Sequence, residues 1–227
     1  MNTTNVANPS RRTFVKGVAA TAGSLVVAFN IPFIKDAEAQ TLADEINAWV
    51  VVKPNDAVVV RIARSEMGQG SLTGLAQLVA EELECDWAKV TTEYPTPGQS
   101  LERKRPWGSF GTGGSQGIRG SQDYVRKGGA IARMMLVQAA ADEWKVPAAE
   151  CNVDKGIISH AASKRSTSYG KVAAAAAKLT PPTDVKLKDP KDWKLAGKRL
   201  ARLDTVDKTT GAQIYGMDLK QIGRAHV

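Results

Sequence analysis

A β-branched run that breaks into a glycine turn and then into an amphipathic helix dominates the first half of this chain. Val58-Val59-Val60-Arg61-Ile62-Ala63 has the composition of a strand set in a sheet. Arg64-Ser65-Glu66-Met67-Gly68-Gln69-Gly70-Ser71 follows. From there Leu72, Leu75, Ala76, Val79 and Leu83 share one helical face. The two glycines let the backbone approach a ligand closely, and Ser71 is placed to cap the helix. The first turn of a helix has free, partly positive N–H groups that suit a phosphate. The stretch therefore reads as the seat of a phosphate-bearing cofactor.

Ahead of it stands Ser10-Arg11-Arg12-Thr13-Phe14-Val15-Lys16, then an uncharged stretch from Gly17 to Phe33, then Ala37-Glu38-Ala39-Gln40. This is the basic, apolar and A-x-A order of an export signal, with cleavage expected after Ala39. The paired arginines with Phe14 and Lys16 resemble a twin-arginine (Tat) signal. The apolar part is interrupted by Gly17, Gly23 and Asn30 and falls short of the ~20 residues of a membrane span. An uncleaved anchor is the alternative. Residues 1–39 are accordingly read as a Tat signal peptide, which makes the Tat translocase a partner and the periplasm the destination. That route carries folded proteins, often with a cofactor already inserted.

The net charge of +8 raises the question of nucleic acid. The basic residues are scattered, apart from Arg103-Lys104-Arg105, and an exported protein rarely meets nucleic acid, so a solvated surface is the reading. Hydrophobic content of 43% is that of an ordinary globular chain. Cys85 and Cys151 leave the question of pairing open, and without a CxxC the chain holds no iron–sulfur cluster or c-type haem of its own.

In chain order, Thr41 to Asn47 reads as a linker, and Ala48 to Val52 pairs with Val58 to Ala63 across a Pro54-Asn55-Asp56 turn. Lys89 to Tyr94 returns as a strand after the helix. Glu81, Glu82 and Glu84 sit at the helix end where the dipole disfavours them, which leaves solvent or a basic partner to account for them. From Pro95 to Ser121 prolines and glycines leave no apolar period. Within that stretch Ser109-Phe110-Gly111-Thr112-Gly113-Gly114-Ser115-Gln116-Gly117 is dense in hydroxyls and free amides, and a loop this long is either functional or disordered. A long helix is predicted from Gln122 to Lys145; its Gly128-Gly129 pair requires a closely packed neighbour. Cys151 to Val153 and Gly156 to His160 read as a hairpin, and Ser168 as the cap of an alanine-rich helix from Tyr169 to Leu179. His160 reads as structural. Asp184 to Leu200 reads as an extended linker, and Ala212 to Tyr215 as the opening of a further strand.

Taken together, Glu66-Met67-Gly68-Gln69-Gly70 with Thr73 to Leu83, then Thr112-Gly113-Gly114-Ser115, Arg126, Gly129 to Arg133, Tyr169-Gly170-Lys171, Leu187 to Pro190 and Arg202 to Gly211 resemble the molybdenum hydroxylase (xanthine oxidase) family. The likeness is to the molybdopterin-binding large subunit of its isoquinoline 1-oxidoreductase and aldehyde dehydrogenase branch. It implies an α+β fold of mixed sheets packed with helices. It also implies a molybdenum–molybdopterin centre, in its cytosine dinucleotide form, that hydroxylates an aldehyde or N-heteroaromatic small molecule with oxygen from water. Electrons would leave through a small [2Fe-2S] subunit and a c-type cytochrome. By this resemblance Gly68, Gln69 and Gly70 form the pterin-contacting turn, and Thr112, Gly113, Gly114, Ser115 and Gln116 a second cofactor-facing loop. No side chain of the chain is assigned as catalytic or as a metal ligand.

The expected organisation is a molybdopterin-binding domain over 48–183, a linker over 184–201 and the start of a second, hammerhead-like domain over 202–221. Residues 222–227, Ile-Gly-Arg-Ala-His-Val, are what a common sequencing adapter encodes, so the expectation is an N-terminal fragment with an adapter-derived tail, inactive by itself. Two alternatives stand beside this. One is an NAD(P)-binding Rossmann-type domain, read from Gly68, Gly70 and Gly74 with Glu93 ending the next strand. Against it, Arg64 to Met67 separate strand from glycine, and Glu66 would repel a pyrophosphate. The other is a non-catalytic secreted protein.

Overall fold

The computed structural model describes residues 45–218. The predicted signal peptide and the 222–227 tail lie outside the described residues. Two valine runs form the centre of the first sheet because β-branched side chains fit a pleated surface buried on both faces. Strand β1 is Glu45–Asn47, β2 is Val50–Val52, β3 is Val58–Arg61 and β4 is Val90–Glu93, in the order β1-β2-β3-β4. The first three run antiparallel; β4 pairs with β3 in parallel, Val58 opposite Val90 and Arg61 opposite Glu93. A parallel pair needs a crossover, and helix α1, Ser71–Leu83, supplies it.

Helix α3, Gln122–Trp144, lies against α1. The glycine pair inside it makes the approach possible: a Cβ on Gly129 would sit 2.6 Å from the Val79 carbonyl oxygen, and one on Gly128 3.0 Å from Trp49. The core forms between these helices and the sheet, with Val50, Val60, Leu75, Val79, Leu83 and Leu136 fully enclosed. Burying each such side chain contributes about 1.5–3 kcal/mol. A second, antiparallel sheet holds β5 (Cys151–Asp154), β6 (Ile157–His160) and β7 (Arg165–Ser168). Helix α4, Tyr169–Ala176, follows, and the Tyr169 hydroxyl donates to the Leu83 carbonyl at 2.6 Å, tying it to the end of α1. The α+β class is as expected, and both cysteines are free thiols.

The structure corrects several expectations. Glu45–Asn47 is strand rather than linker, because Arg61 draws Glu45 onto the sheet at 2.7 Å. A short helix α2, Pro97–Glu102, stands in the glycine- and proline-rich region, nucleated by a capping box between Thr96 and Gln99. The polar stretch before Ser168 is a third strand, β7. Ser168 makes no cap bond within its helix; the Asp56 carboxylate takes the Gly170 N–H at 2.8 Å instead. Ala212 to Tyr215 forms no strand, and helix α5, Thr205–Thr210, precedes it.

The acidic end of α1 has a clear account. Glu81 and Glu82 are buried rather than solvated. Glu81 accepts the N–H groups of Lys194 and Ala196 at 2.9 and 3.0 Å, and that of Leu195, while the Lys188 ammonium lies 3.0 Å away. Glu82 takes Arg126 at 2.8 Å and the Lys188 N–H at 3.1 Å. The basic partners are therefore internal, and the extended 184–201 segment is held along α1 by them. His160 has partners as well: it is buried, with Ser163 Oγ 2.7 Å from Nδ1 and Glu150 3.0 Å from Nε2, which close the end of the β5–β6 hairpin.

Candidate functional site

Where β3 ends, two side chains of opposite charge each take hold of a loop. Arg64 is buried; its Nη1 donates to the carbonyls of Ser109 (2.7 Å) and Gly111 (2.6 Å), and its Nε to Ser121 Oγ at 3.1 Å. The Ser65 N–H donates to Thr112 Oγ1 at 2.9 Å. Ile118 packs over Gly74 of α1. These bonds set the Ser109–Ser121 loop beside the glycine turn.

Glu66 organises the turn itself. Its carboxylate accepts the N–H groups of Gly68 (2.8 Å), Gly70 (2.9 Å) and Leu72 (3.0 Å). Gly70, in the left-handed region at φ 82°, occupies the cap position where Ser71 was expected. Burial pushes the Glu66 carboxyl up, but these three amides and the nearby Arg202 charge outweigh it and hold it below the ordinary carboxylate range. Arg202, from far down the chain, reaches Glu66 at 3.2 Å and the Gly68 carbonyl at 3.1 Å. An internal carboxylate therefore already sits at the helix end read as open to a phosphate, and it takes the Leu72 amide of the first turn.

The same fact disposes of the dinucleotide alternative. A pyrophosphate at this helix end would face Glu66, and Glu93, the would-be ribose ligand, is paired with Arg61 at 2.7 Å.

Between turn and loop lies a cavity of about 430 Å³, within the range of ligand pockets. Gln69, Thr112, Gly113, Ser115 and Gln116 all line it, so the structure brings together five of the eight predicted residues. Gly114 lies in the same loop, whereas Gly68 lines a second cavity of about 710 Å³, toward Tyr94 and Leu203. The Gln69 amide donates to the Ser65 carbonyl at 2.9 Å and accepts the Met67 N–H, bracing the turn. Among the described residues the N–H groups of Gly113, Gly114 and Ser115 have no acceptor. A cleft of about 740 Å³ between α3 and the β5–β6 hairpin carries none of the predicted residues.

Hydroxyls, amide groups and unpaired N–H donors around a cavity suit an oxygen- and nitrogen-rich cofactor held without side-chain metal ligands. A model of the molybdopterin cofactor-binding domain matches residues 4–217. The chain belongs to the molybdopterin cofactor-binding domain family.

Its relatives place this molybdopterin-binding domain in the xanthine oxidase family. It is 31% identical over 211 residues to isoquinoline 1-oxidoreductase subunit beta of Brevundimonas diminuta, covering 78% of this chain and 27% of the relative. It is 33% identical over 187 residues to a membrane-bound aldehyde dehydrogenase (pyrroloquinoline-quinone) of Gluconacetobacter polyoxogenes, covering 80% of this chain and 23% of the relative. The chain thus spans about a quarter of the length of these relatives. Quinoline 2-oxidoreductase from Pseudomonas putida 86 superposes with a TM-score of 0.42 and 21% identity, covering 61% of this chain and 17% of that one.

The residues present fit the cofactor at the cavity, where donors are unpaired, and not at the helix N-terminus, where Glu66 already sits. Arg64, Glu66 and Arg202 escaped the sequence reading as functional side chains. Their available signal was the unlike pair Arg64 and Glu66 set between a buried strand and a glycine turn.

Proposed function

We propose that this chain is the molybdopterin-binding part of an exported molybdenum hydroxylase that oxidises an aldehyde or an N-heteroaromatic compound with oxygen from water. The observation that carries the reading is the cavity between Gln69 and the Thr112–Gln116 loop, in a chain the family model matches over residues 4–217. The names of the two relatives, an isoquinoline oxidoreductase and an aldehyde dehydrogenase, support the substrate class.

When bound, the cofactor supplies a redox-active metal carried on the pterin. The chain's part is to bind and orient it. Gly113, Gly114 and Ser115 offer N–H donors, Thr112 and Ser115 hydroxyls, and Gln69 and Gln116 amides. Gly68 and Gly70 allow the turn to curl around Glu66. The cofactor is proposed as the cytosine dinucleotide form, with electrons leaving to a small subunit bearing [2Fe-2S] clusters and on to a c-type cytochrome. Folded export by the Tat route to the periplasm follows from Arg11-Arg12 and the Ala39-Gln40 site. Residues 48–183 are proposed as the cofactor domain, and 202–221 as the entry to a second domain.

The test is oxidation of an aromatic aldehyde and of isoquinoline by the native protein purified from its source, with a dye as electron acceptor and isotopically labelled water as solvent. The reading expects label in the acid or hydroxylated product. Dye reduction with no label, or with no oxidation of either compound, contradicts it.

A further inference from the structure

One charged side chain lines the proposed cavity itself. Arg119 lines the cavity of about 430 Å³ together with Gln69, Thr112, Ser115 and Gln116, all of them neutral. It is exposed, and among the described residues it has no hydrogen-bond or ionic partner. Several arginines are fixed by the fold: Arg61 by Glu45 and Glu93, Arg126 by Glu82, Arg202 by Glu66 and Asp204. Arg119 does no such work. The alternative seat for an anion, the N-terminus of α1, already holds the Glu66 carboxylate, and a second negative group there would meet like charge. A guanidinium offers a planar fork of donors matched to phosphate oxygens.

We propose that Arg119 is a cofactor-binding residue whose guanidinium takes the phosphate-bearing part of the molybdopterin cofactor at the cavity between the two loops. The proposal rests on the function proposed above and sharpens it. The glycine turn shapes the site, and the anionic portion of the cofactor is held across from it, by Arg119 and the unpaired amides of Gly113 to Ser115.

The experiment compares the native protein with its Arg119→Ala and Arg119→Lys variants after extensive dialysis. Molybdenum and organic phosphate per chain are measured, as is the thermal midpoint of the cofactor-free forms. Loss of one charge-assisted hydrogen bond weakens binding about tenfold, so Arg119→Ala is expected to lose molybdenum and phosphate about tenfold faster during dialysis than the parent and to retain less of both. Arg119→Lys, which keeps the charge, is expected to retain most of both, with all three cofactor-free midpoints equal. Retention by Arg119→Ala equal to the parent's overturns the proposal and leaves the functional reading standing. A lowered cofactor-free midpoint in Arg119→Ala assigns the residue to the fold and overturns it too. A parent protein with neither molybdenum nor organic phosphate refutes the functional reading itself.

Discussion

Gly129 of α3 lies so close to Val79 of α1 that a β-carbon on it would stand 2.6 Å from the Val79 carbonyl oxygen. Two effects of Gly129→Ala oppose each other. Helix propensity favours alanine by about 1 kcal/mol. Forcing the helices apart costs about 1–3 kcal/mol, and backbone cannot yield as a side-chain tip can. The expected outcome is net destabilisation, read as a lower urea midpoint with an unchanged slope.

Glu81 predicts a larger loss. It is 2% exposed and collects three backbone N–H groups and the Lys188 ammonium from the 184–201 segment. Removing one partner of a buried, hydrogen-bonded charge costs about 3–5 kcal/mol. Glu81→Ala should lower stability by about that amount and release the segment, so that trypsin cuts at Lys191 and Lys194 well before the parent is cut.

Acid should act on the same carboxylates. Burial pushes Glu45, Asp56, Glu66 and Glu81 up, but the hydrogen bonds donated to them outweigh it and hold each below its ordinary value; Asp204 is held down first by Arg202 and then by Lys208. The unfolded chain therefore binds protons before the folded one does, and stability rises with pH across that window. These groups contribute fully above about pH 4.5, and their contribution is lost as pH falls through the lower folded values. Thermal midpoints should hold between about pH 5 and 7 as far as these groups decide them, and fall below about pH 4.5. In Glu81→Gln the fall should be shallower.

Gln69→Ala tests the brace of the turn. Its amide bonds to Ser65 and Met67 are each worth about 0.5–1.5 kcal/mol, and its side chain lines the cofactor cavity. The variant should still fold, with a midpoint lowered by several degrees, and carry less molybdenum. Full molybdenum content would remove Gln69 from the site.

The strand, turn and helix from Val58 to Leu83 were legible because a β-branched run, two glycines and a helical apolar face are local signals. Five predicted residues meet at one cavity for the same reason: two glycine-rich stretches, each legible locally, are joined by the buried Arg64. The partners of Glu81 and the ion-pair partner of Glu66 were not legible. They come from Lys188 to Ala196 and from Arg202, more than a hundred positions away, and no local period announces a carboxylate that serves backbone amides of another segment. Capping misled for a different reason. Ser71 and Ser168 are sound local caps, yet Glu66 and Asp56 supply carboxylates at these helix ends, to Leu72 and Gly170, and a charged acceptor binds an N–H more strongly than a hydroxyl does.

The central claim is that this chain holds molybdopterin between the glycine turn and the Thr112–Gln116 loop. Metal and cofactor analysis of the native protein, purified from its source without added metal, tests it most directly. The account predicts molybdenum in near-stoichiometric amount, together with a pterin released as its dinucleotide. A protein with no molybdenum and no pterin, carrying tightly held NADP or pyrroloquinoline quinone in their place, would contradict it.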